Sequence, residues 1–144
     1  MRNILILNGP NLNLLGTRQP EFYGRVTLEE IAQTCRAKAR ELGIKIDFRQ
    51  SNHEGVLIDW IQETKDTFDG LILNAGGYTH SSIALHDAIA SVGIPTIELH
   101  LSNIKEREAF RHISYIEPVA FQSIMGHGAD GYPIALEAMV AHLA

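Results

Sequence analysis

Apolar positions along the chain follow two rhythms. Residues 3–7 hold the unbroken run Ile4-Leu5-Ile6-Leu7, closed by Asn8-Gly9-Pro10, which is the pattern of a strand buried on both faces. Ile44, Ile46 and Phe48 alternate as a second strand. Leu71-Ile72-Leu73 is a third, Thr96 to Leu99 a fourth, and residues 119–124 supply a fifth. Between them the period lengthens to that of a helix. Thr27-Leu28-Glu29-Glu30 is a capping box, after which Leu28, Ile31, Ala32, Cys35, Ala39 and Leu42 share one face until Gly43 ends the run. Ser51 with Glu54 predicts a second cap, for a helix carrying Leu57, Ile58 and Ile61. Ser81 or Ser82 opens a third, holding Ile83, Ala84, Ala88 and Ile89 and closed by Gly93 and Pro95. Asn103 with Glu106 predicts a short charged helix, and Pro133 suits the first turn of a last one with Ile134, Met139 and Leu143.

Strands that alternate with helices build a parallel sheet covered on both sides. Five strands favour a flavodoxin-like three-layer α/β sandwich of order 2-1-3-4-5, with residues 1–144 as a single domain. Residues 8–24 break both rhythms. They are rich in Asn, Gly and Pro, and a structureless stretch of that length in a compact domain is usually functional, so about 8–24 reads as a lid over a site.

Composition narrows the function. No apolar run nears the roughly 20 residues of a membrane span, and the apolar run behind Met1-Arg2 is too short for a secretory leader, so the expected location is the cytoplasm. Cys35 is the one cysteine, which excludes an internal disulfide and a cysteine-built zinc site; its place on an apolar helix face suits a core residue. Net charge is -5 and the basic residues are scattered, which argues against nucleic acid while leaving room for an anionic metabolite.

In an open parallel sheet, ligands bind beyond the carboxyl ends of the strands, where strand order reverses. The segment after the first strand carries Asn8, Asn11, Asn13, Arg18, Tyr23 and Arg25. The segment after the third carries Asn74, Tyr78, Thr79 and His80. The fourth strand ends in Glu98-Leu99-His100, with Ser102 following. Polar groups thus converge on one edge. Most have a plainer alternative: Asn8 and Asn13 read equally well as turn formers, and Arg18 as a solvated charge. Glu98 and His100 differ, because residues i and i+2 of a strand point the same way. A carboxylate beside an imidazole fixes its tautomer and favours its charged form, which suits a proton donor near neutral pH. No P-loop, G-x-G-x-x-G, G-x-S-x-G or H-E-x-x-H occurs. Gly76-Gly77 ahead of a helix is a weak anion-site signal.

At this point the motifs resemble a known family. Asn8-Gly9-Pro10-Asn11-Leu12-Asn13-Leu14-Leu15-Gly16, with Arg18 and Tyr23-Gly24, resembles the opening signature of type II 3-dehydroquinate dehydratases. Asn74-Ala75-Gly76-Gly77-Tyr78-Thr79-His80 with Asp87 resembles the second motif, and Glu98-Leu99-His100-Leu101-Ser102-Asn103 with Arg111-His112 the third. The three lie in order over nearly the whole chain. Departures are Ala75 for the usual Pro, Gly77 for Ala, Gln19 for Glu and His86 for Arg; the first two are expected to loosen the loop before His80.

The resemblance implies loss of water from 3-dehydroquinate by proton abstraction at C2, an enolate, and acid-assisted departure of the C1 hydroxyl. It makes Tyr23 the base, with Arg18 (and Arg25 as a second candidate) lowering the phenol's pKa. His100 becomes the general acid oriented by Glu98, and Asn11 the holder of a water against the enolate oxygen. Asn74, His80, Asp87 and Arg111 become contacts for substrate hydroxyls, with Asp87 reaching in from a neighbouring subunit. The Leu101 amide and Ser102 become the carboxylate site at the cap of the next helix. It implies no metal, nucleotide or other cofactor, and a homododecamer built of trimers. Two other classes stay open: a flavodoxin-like phosphate- or nucleotide-binding module, and a metal-dependent hydrolase using His80, Glu98 and His100.

Overall fold

In a computed structural model, residues 1–17, 21 and 25–144 are described. Five parallel strands run in the order β2-β1-β3-β4-β5: β1 Asn3–Asn8, β2 Lys45–Gln50, β3 Gly70–Asn74, β4 Thr96–His100 and β5 Gln122–Met125. Among the described residues, four α-helices cover them: α1 Leu28–Leu42, α2 Glu54–Glu63, α3 Ile83–Val92 and α4 Gly131–Leu143. Among the described residues, no helix is long and apolar enough to cross a membrane.

The alternation of side chains along the central strands divides the core in two. Ile4, Ile6, Ile72, Ile97 and Leu99 face Ile31 and Cys35 of α1 and Leu136 and Met139 of α4. Leu5, Leu7, Leu71 and Leu73 face Leu57 and Ile61 of α2 and Leu85 and Ile89 of α3. β1 is therefore apolar at every interior position because neither of its faces meets water. Cys35 is wholly buried, and burial pushes its thiol up to about 12, so it is a packing residue and not a nucleophile.

Local signals set most boundaries. Thr27 and Glu30 close the expected capping box on α1, and Gly43 ends the helix at φ 70°. Ser82 caps α3 by accepting the Leu85 N–H at 2.9 Å. Three expectations need correction. Ser51 is not the cap of α2: the helix begins a residue after His53, and the Ser51 hydroxyl accepts the His53 N–H instead. The charged helix after Asn103 is a single 3-10 turn, Ile104–Glu106, whose exposed N–H of Lys105 is taken by the Asn103 side chain. The fifth strand starts later, because Pro118 sits in a 3-10 turn, Glu117–Val119, that delays pairing until Gln122.

Strand order reverses between β1 and β3. The chain leaves β1 toward α1 on one face and leaves β3 toward α3 on the other, yet both exits are held together. Gly9 N–H donates to the Asn74 carbonyl at 2.8 Å. A Cβ on Gly9 would lie 2.3 Å from the Ala75 carbonyl oxygen, so only glycine admits this approach. Gly76, at φ 60°, sits against the Pro10 carbonyl from the other side. Beneath them the wholly buried Tyr132 hydroxyl donates to Asn8 Oδ1 at 2.6 Å and accepts from Asn74 Nδ2 at 3.1 Å. Asn8 and Asn74 are register partners, so one phenol fixes the ends of both central strands. Gly9→Ala is expected to lower the unfolding free energy by at least about 2 kcal/mol, the cost of overpacking against backbone that cannot rotate away. Urea unfolding of the parent and the variant at equal concentration checks it.

Candidate active site

The carboxyl ends of β1, β3 and β4 open into one cleft of about 140 Å³. That volume falls below the roughly 300 Å³ at which drug-sized pockets begin, and suits a small metabolite. Its lining includes Asn11, Asn74, His80, His100, Leu101, Ser102 and Arg111, so seven of the residues singled out in the sequence meet here. Glu98 stands behind His100. Asp87 is exposed on α3 and is not part of this chain's own lining. Arg18 and Tyr23, with Gln19, Pro20, Phe22 and Gly24 of the expected lid, lie outside the described residues.

Sequence reasoning missed Arg107. It lines the cleft with a side chain 6% exposed, its Nε 3.6 Å from a carboxylate oxygen of Glu108. Nothing in Lys105-Glu106-Arg107-Glu108 separates it from a solvated charge run. Its inward course comes from the two 3-10 turns that flank it, Ile104–Glu106 and Ala109–Arg111.

Glu98 and His100 project from β4 on the same side, as their spacing requires. His100 Nε2 lies 2.8 Å from Glu98 Oε2. The same oxygen receives the Ser114 hydroxyl and, at 3.4 Å, that of Thr79, while Oε1 receives the Ser123 hydroxyl at 2.7 Å. The carboxyl is fully buried, and burial alone would push its pKa up. The bond to His100 and its charge, then the Ser114 and Ser123 hydroxyls, outweigh that and hold it at about 2. An ionised carboxylate only accepts, so His100 Nε2 carries the hydrogen and Nδ1 is the atom left for chemistry.

His80 is arranged differently. Its Nδ1 lies 2.8 Å from the Ile113 carbonyl, which can only accept, so Nδ1 bears the hydrogen and Nε2 presents a lone pair. Burial lowers its pKa, the Ile113 carbonyl opposes this, and the positive His100 and Arg111 lower it further. His80 is thus kept neutral, as an acceptor for a ligand hydroxyl.

Asn74 is nearly buried, with Nδ2 given to Tyr132 and Oδ1 receiving the Gly76 N–H at 3.3 Å, which leaves one N–H and one lone pair for a ligand. Asn11 holds a left-handed conformation at φ 70° and is anchored through its N–H to Asn52 Oδ1 at 3.0 Å. Arg111 is steadied by Glu108 at 3.1 Å. Asn103 takes the Lys105 N–H of the turn that follows, and Leu101 and Ser102 line the cleft just ahead of it. His86, which replaces an expected arginine, is tied to the Tyr115 carbonyl at 2.7 Å. Asn8 is a structural residue, its Nδ2 donating to the Arg49 carbonyl.

Among the described residues the lining has imidazole and guanidinium groups and no carboxylate, so it favours an anionic ligand despite the chain's net charge of -5. Among the described residues, no three His, Cys, Asp or Glu side chains are grouped as metal ligands.

Fold and site together define an α/β protein built to bind a small anion beside a polarised histidine. A family model described as Dehydroquinase class II matches residues 2–140, and the chain belongs to that family. A protein of Dinoroseobacter shibae named 3-dehydroquinate dehydratase is 60% identical over 98% of this chain and 94% of its own length. One of Ruegeria pomeroyi with the same name is 57% identical over 99% and 96%. The crystal structure of type II dehydroquinase from Butyrivibrio crossotus superposes with a TM-score of 0.95 at 45% identity, covering 96% of this chain and 97% of that one.

Glu98 generates a pH prediction. Its folded pKa of about 2 lies below the ordinary 4.5, so its stabilisation is present above pH 4.5 and is lost as pH falls toward 2. At 1.36 kcal/mol per unit the loss is on the order of 3 kcal/mol. Urea unfolding across pH 6 to 2 is expected to show it in the parent, while Glu98→Gln, already less stable at pH 6, lacks that component of the slope.

Proposed function

We propose that this chain dehydrates 3-dehydroquinate to 3-dehydroshikimate. The observation that carries the reading is the Glu98–His100 pair at the mouth of a cationic cleft formed where strand order reverses. Relatives of matching length bear the name of that enzyme, and the substrate is a small carboxylate with several hydroxyls, which fits the lining.

The reaction needs a base at C2, a stabiliser for the enolate, and an acid for the C1 hydroxyl. Tyr23 is the base in this reading and Arg18 the cation that favours its phenolate. Asn11 holds a water against the enolate oxygen. His100 is the acid, acting through Nδ1 of the imidazolium, because Nε2 is committed to Glu98. His80 accepts a substrate hydroxyl at Nε2, Asn74 uses its remaining N–H, Arg111 supplies charge, and the Leu101 amide with Ser102 takes the carboxylate.

Asp87 reaches the substrate only from another copy of the chain. Its exposure on α3 supports a homo-oligomer, a dodecamer of trimers in this reading. So do the exposed Ile83, Phe110 and Ile113, which lie in the two segments that His80 joins. A cytoplasmic location belongs to the same reading.

Metal-free protein mixed with 3-dehydroquinate is expected to produce the ultraviolet absorbance of a conjugated enone, with Tyr23→Phe slower by at least about a hundredfold. A folded parent that gives no absorbance would remove the reaction, and an equally fast Tyr23→Phe would remove the base. Asp87→Ala and Tyr23→Phe, each defective alone, are expected to regain activity when dissociated and reassembled together, since mixed assemblies contain sites with both native residues. No recovery in verified mixed assemblies would place Asp87 outside the site.

A further inference from the structure

Glu98 lies in the middle of the sheet with no exposure, and its two oxygens are served from different directions. Oε2 is the crowded one: it bonds His100 Nε2 at 2.8 Å, Thr79 Oγ1 at 3.4 Å and the Ser114 hydroxyl. Ser114 is itself saturated, since its oxygen accepts the N–H groups of Ile116 and Glu117, each at 3.1 Å, leaving its hydrogen for the carboxylate. Oε1 is bonded by Ser123 at 2.7 Å, from the edge strand β5. Ser123 and Glu98 are register partners of neighbouring parallel strands, so their side chains emerge on the same face, side by side.

This division has a mechanical consequence. Both oxygens swing together about the last torsion, so the bonds at Oε2 and the bond at Oε1 restrain the same rotation from opposite ends. The Ser123 bond holds Oε1, and it opposes any turn that would take Oε2 out of line with His100. We propose that Ser123 is a positioning residue for the acid step: its hydroxyl locks the rotation of Glu98 and thereby the direction in which His100 Nδ1 presents its proton. Neither the family resemblance nor the motif pattern points to this residue, which sits in Gln122-Ser123-Ile124-Met125 as an ordinary strand position. The inference rests on the reading of His100 as the acid.

The hydroxyl also draws charge from Glu98. Without it the carboxylate is more basic, so the pair holds its proton more tightly and the alkaline limb of the rate profile moves up in pH. Among the described residues, the other charged or titratable groups lining the cleft with His100 are His80, Arg107 and Arg111, and a change at Ser123 leaves them in place.

The test compares Ser123→Thr with Ser123→Val, which have the same shape and differ in the hydroxyl, with Glu98→Gln alongside. Ser123→Thr is expected to match the parent. Ser123→Val is expected to lose about tenfold or more in kcat with KM within about twofold, the strength of one bond to a charged group. Its alkaline limb should lie at least about half a pH unit higher. Equal kcat and equal pH profiles for the Thr and Val variants would overturn the proposal. Loss of the folded state in Ser123→Val alone, seen by circular dichroism, would make the hydroxyl structural and overturn it too. A Glu98→Gln variant as fast as the parent would instead remove the His100–Glu98 reading on which the inference stands.

Discussion

Gly9 lies so near the Ala75 carbonyl that a methyl group there would overlap it, and this contact joins two chain exits that the fold sends to opposite faces. A reversal of strand order always opens a crevice at that point. Here its width is set by backbone against backbone, with Gly76 against Pro10 on the return side. Tyr132 then ties Asn8 to Asn74 one layer below. Asn11, Asn74 and His80 hold their places around the cleft because the exits that carry them cannot part. A rigid floor of this kind is what a site needs if distant segments are to supply its groups.

The second constraint is electrostatic. An ionised carboxylate at full burial persists only with donors all round it. Glu98 has an imidazole and three hydroxyls, drawn from β4, the 3-10 turn before α3, the segment before β5, and β5 itself. Four parts of the chain therefore depend on one side chain, and the acid group is fixed by the same bonds that stabilise the sheet. Among the described residues the cleft in front is lined by neutral and cationic groups, so the negative charge stays behind His100, away from an anionic ligand.

Much of this was legible in the sequence because it rests on short-range rules. Alternation and capping marked five strands and the limits of α1 and α3, and the strand order followed from the topology that five alternating βα units favour. The i, i+2 rule placed Glu98 beside His100. What escaped had no local signature. Ser51 looks like a cap, but its hydroxyl serves the residue two positions on, and the helix starts later. Residues 104–111 carry helix-like charge spacing, yet form two 3-10 turns, and the chain between those turns carries Arg107 into the cleft. Ser114 and Ser123 are plain serines until tertiary folding brings them against Glu98.

Two histidines in one cleft show how the fold assigns chemistry without changing residue type. Each gives one nitrogen to a pure acceptor, so each has a defined tautomer. The acceptor of His80 is a neutral carbonyl, and burial beside Arg111 and His100 keeps that ring uncharged. The acceptor of His100 is an anion, the Glu98 carboxylate. Exchange of the two partners would exchange the two roles. The identity of the bonded oxygen, carbonyl or carboxylate, therefore decides which histidine receives a hydroxyl and which one gives up a proton, and both oxygens are placed by elements outside the cleft.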